Sequence, residues 1–171
     1  MEQVCLENWY ALQTLPQSEQ AVSAQLSHVG IQAFLPMTYG RCTKGRTETV
    51  KWRPLFPSYV FCRLNLNSGP RLYLISSVIR IVGAGKRPIP INDSEIESVQ
   101  KLVTSPYQVE TEAPPKVGDL VHITAGPFAG MVGTLIDFRG KWKFVVTISL
   151  LNRSVSVIVP KEWLIASTVA A

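Results

Sequence analysis

After Val117 the apolar residues recur at every second position, and this change of period constrains the fold more than any other feature of the chain. Val121 and Ile123 alternate, then Val132, Thr134 and Ile136, then Phe144, Val146 and Ile148, then Val155, Val157 and Val159. Turn residues separate these runs at Ala125-Gly126-Pro127, Arg139-Gly140 and Leu151-Asn152-Arg153. Short alternating strands at such spacing predict a small antiparallel sandwich or barrel. Over about 55 residues a closed five-stranded barrel uses the chain well, because closure removes exposed strand edges.

The preceding half mixes two periods. Gln17–Val29 reads as a helix with Val22, Leu26 and Val29 on one face, ended by Gly30. Strand signals fall at Trp9–Thr14, Ile31–Leu35, Leu55–Leu64 (broken early by Pro57) and Ile79–Val82. Gly40–Trp52 is polar and aperiodic, and reads as an exposed loop or a flexible hairpin. A second helix is predicted after Asn92, with Glu95 placed for a capping box, Ile91 and Ile96 for a hydrophobic staple, and Ile96, Val99 and Val103 on one face. The expected class is α+β: an N-terminal antiparallel sheet flanked by helices, then the β-barrel. Thr104–Lys116 contains three prolines and no periodicity, so the expected division is domain 1–104, linker 105–116 and domain 117–171. Fully extended, such a linker spans at most roughly 45 Å.

Composition excludes several functions. No apolar run is long enough to span a membrane, and MEQVCLENWY does not read as a signal peptide, so a cytoplasmic chain with no membrane partner is expected. Cys5, Cys42 and Cys62 form no CxxC pair and lie far from His28 and His122, so neither a disulfide framework nor a metal site is predicted. There is no Ser/His/Asp spacing, no paired carboxylates in one apolar context and no P-loop. An enzyme and a cofactor are therefore not expected. The net charge of +5 is uneven: Arg41, Lys44, Arg46, Lys51 and Arg53 crowd one segment with a single acid, Glu48. Such local charge points to phosphate contact with nearby DNA or RNA.

The order of these pieces resembles the NusG family. Trp9-Tyr10 opening a strand, Pro54-Leu55-Phe56-Pro57-Ser58-Tyr59-Val60-Phe61, and Val78–Gly83 followed by Lys86-Arg87-Pro88-Ile89-Pro90 are similar to a NusG N-terminal domain. Val117-Gly118-Asp119, Val121-His122-Ile123 and Gly126-Pro127-Phe128-Ala129-Gly130 resemble a KOW motif of an SH3-like barrel, and Leu150–Val157 its closing strands. The basic segment and LLNRSVSV are more similar to specialised paralogues, RfaH-like or of the polysaccharide-cluster type, than to a general NusG.

The resemblance implies a monomeric transcription elongation or antitermination factor that binds RNA polymerase and suppresses pausing or termination. Trp9, Phe56, Pro57, Tyr59, Phe61, Ile96 and Val99 would line or underlie a depression for the clamp helices of the largest subunit. Ser68, Gly69, Pro70 and Arg71 match the gate-loop contact. In the specialised relative RfaH the second-helix side of the depression can be masked by the C-terminal domain. Gly126, Pro127 and Phe128 would meet a small-subunit ribosomal protein or Rho, with Phe128 at the tip of its turn. The alternative reading is a KOW-containing RNA-binding protein acting in translation.

Overall fold

The computed structural model describes residues 7–44, 47–66, 72, 75–112, 118–138 and 141–166. The chain divides into two compact units at Asp93/Ser94. The first is built on a four-stranded antiparallel sheet of β1 (Asn8–Thr14), β2 (Ala33–Phe34), β5 (Tyr59–Leu64) and β6 (Val78–Ile81), in the order β2-β5-β1-β6. Strand alternation sends residues to two faces. Tyr10 and Leu12 from β1 join Val60, Cys62 and Leu64 from β5 on one of them. Helix α1 (Glu19–His28) lays Val22 and Leu26 on this face, and the i, i+4 pair is wholly buried. On the opposite side Trp9, Phe34 and Phe61 form a row, since Ala11 pairs with Phe61 and Phe34 pairs with Phe61 from the other edge.

The expected strand at Leu55–Leu64 starts only at Tyr59. Residues 55–58 form a turn instead, because Pro57 has no N–H to give a ladder and Ser58 takes a left-handed conformation (φ 65°). Gly40–Trp52 is the larger part of a regular ribbon, β3 (Met37–Lys44) paired with β4 (Thr47–Pro54) over eight positions. A second short pair, β7 (Gly83–Ala84) with β8 (Arg87–Pro88), follows β6.

The second unit contains α2 (Asp93–Thr104) from Ser94 onward and a six-stranded antiparallel sheet. Five strands were expected and are present: β10 (Asp119–Ile123), β11 (Val132–Phe138), β12 (Lys141–Ile148), β13 (Arg153–Ile158) and β14 (Leu164–Ala166). The sixth, β9 (Glu110–Glu112), comes from the proline-containing segment and pairs with β13. Val121, Ile123, Phe144, Val146, Ile148, Val155 and Val157 are buried as expected, but so are the intervening Lys143, Val145, Ser154 and Ser156, so β12 and β13 are covered on both faces. In β11 the phase is opposite to that of the large residues: Val132 is exposed, and Leu135 pairs with Phe144. Gly133 occupies the inward phase because any Cβ there would strike the Phe144 ring.

Candidate functional site

The 55–58 turn is held by four hydrogen bonds. Leu55 N–H donates to Pro36 O (2.8 Å), Tyr59 N–H to Phe56 O (3.1 Å) and Thr14 N–H to Ser58 O (2.9 Å). The fourth tie is a side chain: the Glu19 carboxylate, buried at the start of α1, accepts from Ser58 N–H at 2.7 Å. A buried carboxylate needs such a donor, and the left-handed Ser58 backbone is oriented to supply it. The turn thereby fixes Phe56, Pro57 and Tyr59.

These residues do not share one exposure. Pro57 is exposed and Tyr59 half-buried, whereas Trp9, Phe56 and Phe61 are closed to solvent. Of the residues expected to line or underlie a depression, these three can only underlie it, because their rings are core. Phe56 meets Phe61 edge to face at 5.5 Å, Phe61 stacks on Phe34 at 6.1 Å, and Phe34 meets Trp9 at 6.5 Å. Such offset and T-shaped contacts are the favoured geometries for aromatic packing. Phe34, half-buried and central to the row, is the member that sequence reasoning missed. Its signal was its place in a strand beside the aromatic one.

Ile96 and Val99 lie on α2 in the second unit and are also buried. The capping box is corrected as well. The Glu95 carboxylate accepts from Ser149 N–H (3.3 Å) and Ser149 Oγ–H (2.9 Å), on the turn between β12 and β13. Ser94, Glu97, Ser98 and Lys101 line a cavity with Val132, Thr134 and Val145 of the barrel. The helix is tied to the β12–β13 turn through Glu95.

The Gly126-Pro127-Phe128 turn is a single 3-10 turn. Its aromatic does not stand at the tip: Phe128 is fully buried, against Tyr107 at 5.4 Å. Gly126 (φ 74°) lets the chain enter, and its missing Cβ makes room for the Trp163 ring, which also meets Tyr107 at 5.9 Å. Gly126 and Pro127 are what the turn offers to solvent.

Of the five cations predicted to meet nucleic acid, Lys51 and Arg53 are exposed on β4. Arg41 and Lys44 fall on β3, paired with Val50 and Thr47. Arg46, and Ser68, Gly69, Pro70 and Arg71, lie outside the described residues. His28 and His122 are exposed, and no metal-binding group occurs among the described residues. Cys62 is a free thiol pushed up to about 12 by burial, so it is neither nucleophile nor metal ligand near neutral pH. No described helix is long and apolar enough to cross a membrane.

Residues 7–100 match the family model NusG, described as transcription termination factor nusG. The transcription termination/antitermination protein NusG of Thermus thermophilus is 30% identical over 165 residues, covering 82% of this chain and 89% of its own. The Campylobacter jejuni protein of the same name is 29% identical, covering 87% of this chain and 91% of its own. Among solved structures, one described as domain interaction in Thermotoga maritima NusG superposes with a TM-score of 0.53 at 23% identity, over 95% of this chain and 98% of that one, and so shares the fold. The α+β first unit, the KOW-type barrel and a family match spanning more than half of the residues agree: the chain belongs to the NusG family of bacterial transcription termination and antitermination factors, which are not enzymes.

Proposed function

We propose that this cytoplasmic, monomeric chain binds RNA polymerase, suppresses pausing or termination during elongation, and recruits a second partner through its barrel. What carries the reading is family membership together with the pinned turn, which holds exposed Pro57 and half-buried Tyr59 in a fixed relation over the aromatic row. Rigid positioning of a small apolar rim suits the helical tip of the polymerase clamp, because little ordering entropy remains to be lost on binding. Trp9, Phe56 and Phe61 support this rim from below. Ile96 and Val99 would join it only once exposed, since binding can draw only on states in which a contact surface is open. Ser68, Gly69, Pro70 and Arg71 would meet the gate loop, and the cations Arg41, Lys44, Arg46, Lys51 and Arg53 nearby nucleic acid.

Functional boundaries at 1–104, 105–116 and 117–171 accompany this reading. On the barrel, Gly126 and Pro127 would present the surface for a small-subunit ribosomal protein or Rho, with Phe128 bracing the turn beneath. Operon-specific antitermination of the RfaH-like or polysaccharide-cluster kind is the favoured role, on the basic segment before Pro54.

The test is retention of core RNA polymerase by the immobilised full chain, paired with transcription in vitro past a terminator. Retention and increased read-through are expected. Pro57→Asp with Tyr59→Ala should weaken retention at least about tenfold, as loss of 1.4 kcal/mol or more at an interface centre does. A folded chain that retains no polymerase would overturn the reading.

A further inference from the structure

Strand β6 ends the sheet order β2-β5-β1-β6, so one of its sides has no strand partner among the described residues. Its pairing with β1 runs Leu12 to Ile81, Gln13 to Arg80 and Thr14 to Val78, which leaves Ile79 as an extra residue in a bulge. The bulge brings Val78 and Ile81 to one face although they are three apart, and both pack against the cluster that α1 covers. Ile79 is left 53% exposed.

A cavity of about 510 Å³ opens along this strand. Leu72, Ile75, Val78 and Ile81 line it, and all four are buried or half-buried on the α1 side of the sheet. Ile79, Arg80 and Lys86 line it too, and these are exposed. Arg80 is steadied by its Nε–H, which donates to Gln13 Oε1 at 2.9 Å. Lys86 stands in the two-residue turn between β7 and β8, whose first residue, Gly85, takes the left-handed conformation (φ 61°) that such a turn requires. No carboxylate pairs with Arg80 or Lys86 among the described residues, and the sequence holds no Asp or Glu from Thr49 to Asn92.

The recess therefore joins an apolar interior to a mouth of one charge sign, and its size is that of a ligand site, about 300–1,000 Å³. Its complement is an apolar surface bordered by carboxylates. A nucleic-acid strand fits poorly, because none of the described lining residues is aromatic and phosphates gain nothing from aliphatic walls. An extended peptide fits poorly as well, because the bulge breaks the regular row of main-chain groups that a new strand would pair with. A helix needs no main-chain partner. It offers apolar side chains at i, i+3, i+4 and i+7 with acids on their flanks.

We propose that the recess beside β6 docks an acidic amphipathic helix of another protein, its apolar stripe covering Ile79 and entering over Leu72, Ile75 and Ile81 while its carboxylates meet Arg80 and Lys86. The site lies on the sheet face opposite the aromatic row under Pro57 and Tyr59. It is a second surface and does not rest on polymerase binding there.

The probe is a fluorescein-labelled synthetic helix of about 18 residues, five turns, with Leu along one stripe and Glu on both flanks. Anisotropy reads its binding to the full chain, and circular dichroism checks that each variant is folded. The same helix with Lys for Glu, and a scrambled sequence without the stripe, should bind at least about tenfold more weakly. Ile79→Asp should weaken the acidic helix about tenfold or more, as loss of a central apolar contact does. Arg80→Glu with Lys86→Glu should reverse the preference, so that the Lys helix binds better than the Glu helix. Equal binding of the acidic, basic and scrambled helices overturns the proposal, and so does binding that neither variant moves. Displacement of the acidic helix by oligo-dT would give the recess to nucleic acid, and displacement by core polymerase would give it to polymerase; either result overturns a separate partner. Failure of the helix to bind overturns the proposal and leaves the polymerase-retention test untouched.

Discussion

The Phe56–Tyr59 turn and the β3–β4 ribbon follow one another in the chain, joined at Pro54-Leu55, yet they treat aromatic side chains in opposite ways. In the turn and the strand after it, Phe56 and Phe61 are wholly buried and packed ring to ring. In the ribbon, Tyr39 and Trp52 meet each other and remain 39% and 67% exposed. The turn is pinned to the rest of its unit by three hydrogen bonds and closed on itself by a fourth, and the ribbon pairs with no other strand among the described residues. Aromatic density therefore marks two different things here: core in the sheet, accessible surface in the ribbon. The Tyr39 and Trp52 rings are open to a partner as they stand, whereas those of Phe56 and Phe61 are not.

Three substitutions would break or sharpen this contrast. Phe61→Ala should cost most, about 3–5 kcal/mol, because it removes a fully buried ring from the aromatic row; urea unfolding of the full chain measures it. Glu19→Ala comes next, at about 1.5–3 kcal/mol, because it strips the buried acceptor from Ser58 N–H. Its signature is faster amide exchange at Ser58, and unchanged exchange there would show that the turn does not depend on α1. Trp52→Ala should cost least, under about 1 kcal/mol, the worth of a cross-strand pair at an exposed position. A loss at Trp52 as large as that at Phe61 would mean the ribbon is structural core after all.

Much of the fold was legible because its signals are periodic. The spacing of Val22 and Leu26 marks the buried face of α1, and the alternation through Phe144–Ile148 and Val155–Val159 marks the barrel core. What escaped is what a period cannot carry. β9 is Glu-Thr-Glu, a poor strand on its own residues, and becomes one through pairing with β13 and the Lys143–Glu110 ion pair (3.6 Å). The phase of β11 was hidden because its inward position is Gly133, whose contribution is an absent side chain. The candidate site was half legible. Pattern and resemblance picked the turn and the cations. They could not tell which aromatic residues the tertiary fold would cover, and so favoured Phe56 and Phe61 over Phe34, Tyr39 and Trp52. Phe128 failed for the same reason, since Tyr107 comes from a stretch with no strand signal of its own.

The solitary character of the ribbon has a colloidal consequence. A two-stranded element that pairs with no third strand among the described residues keeps an outer row of main-chain groups on each side, a template on which another copy could zip. The exposed cations Lys51 and Arg53 oppose such stacking, since like charges repel when one copy approaches another.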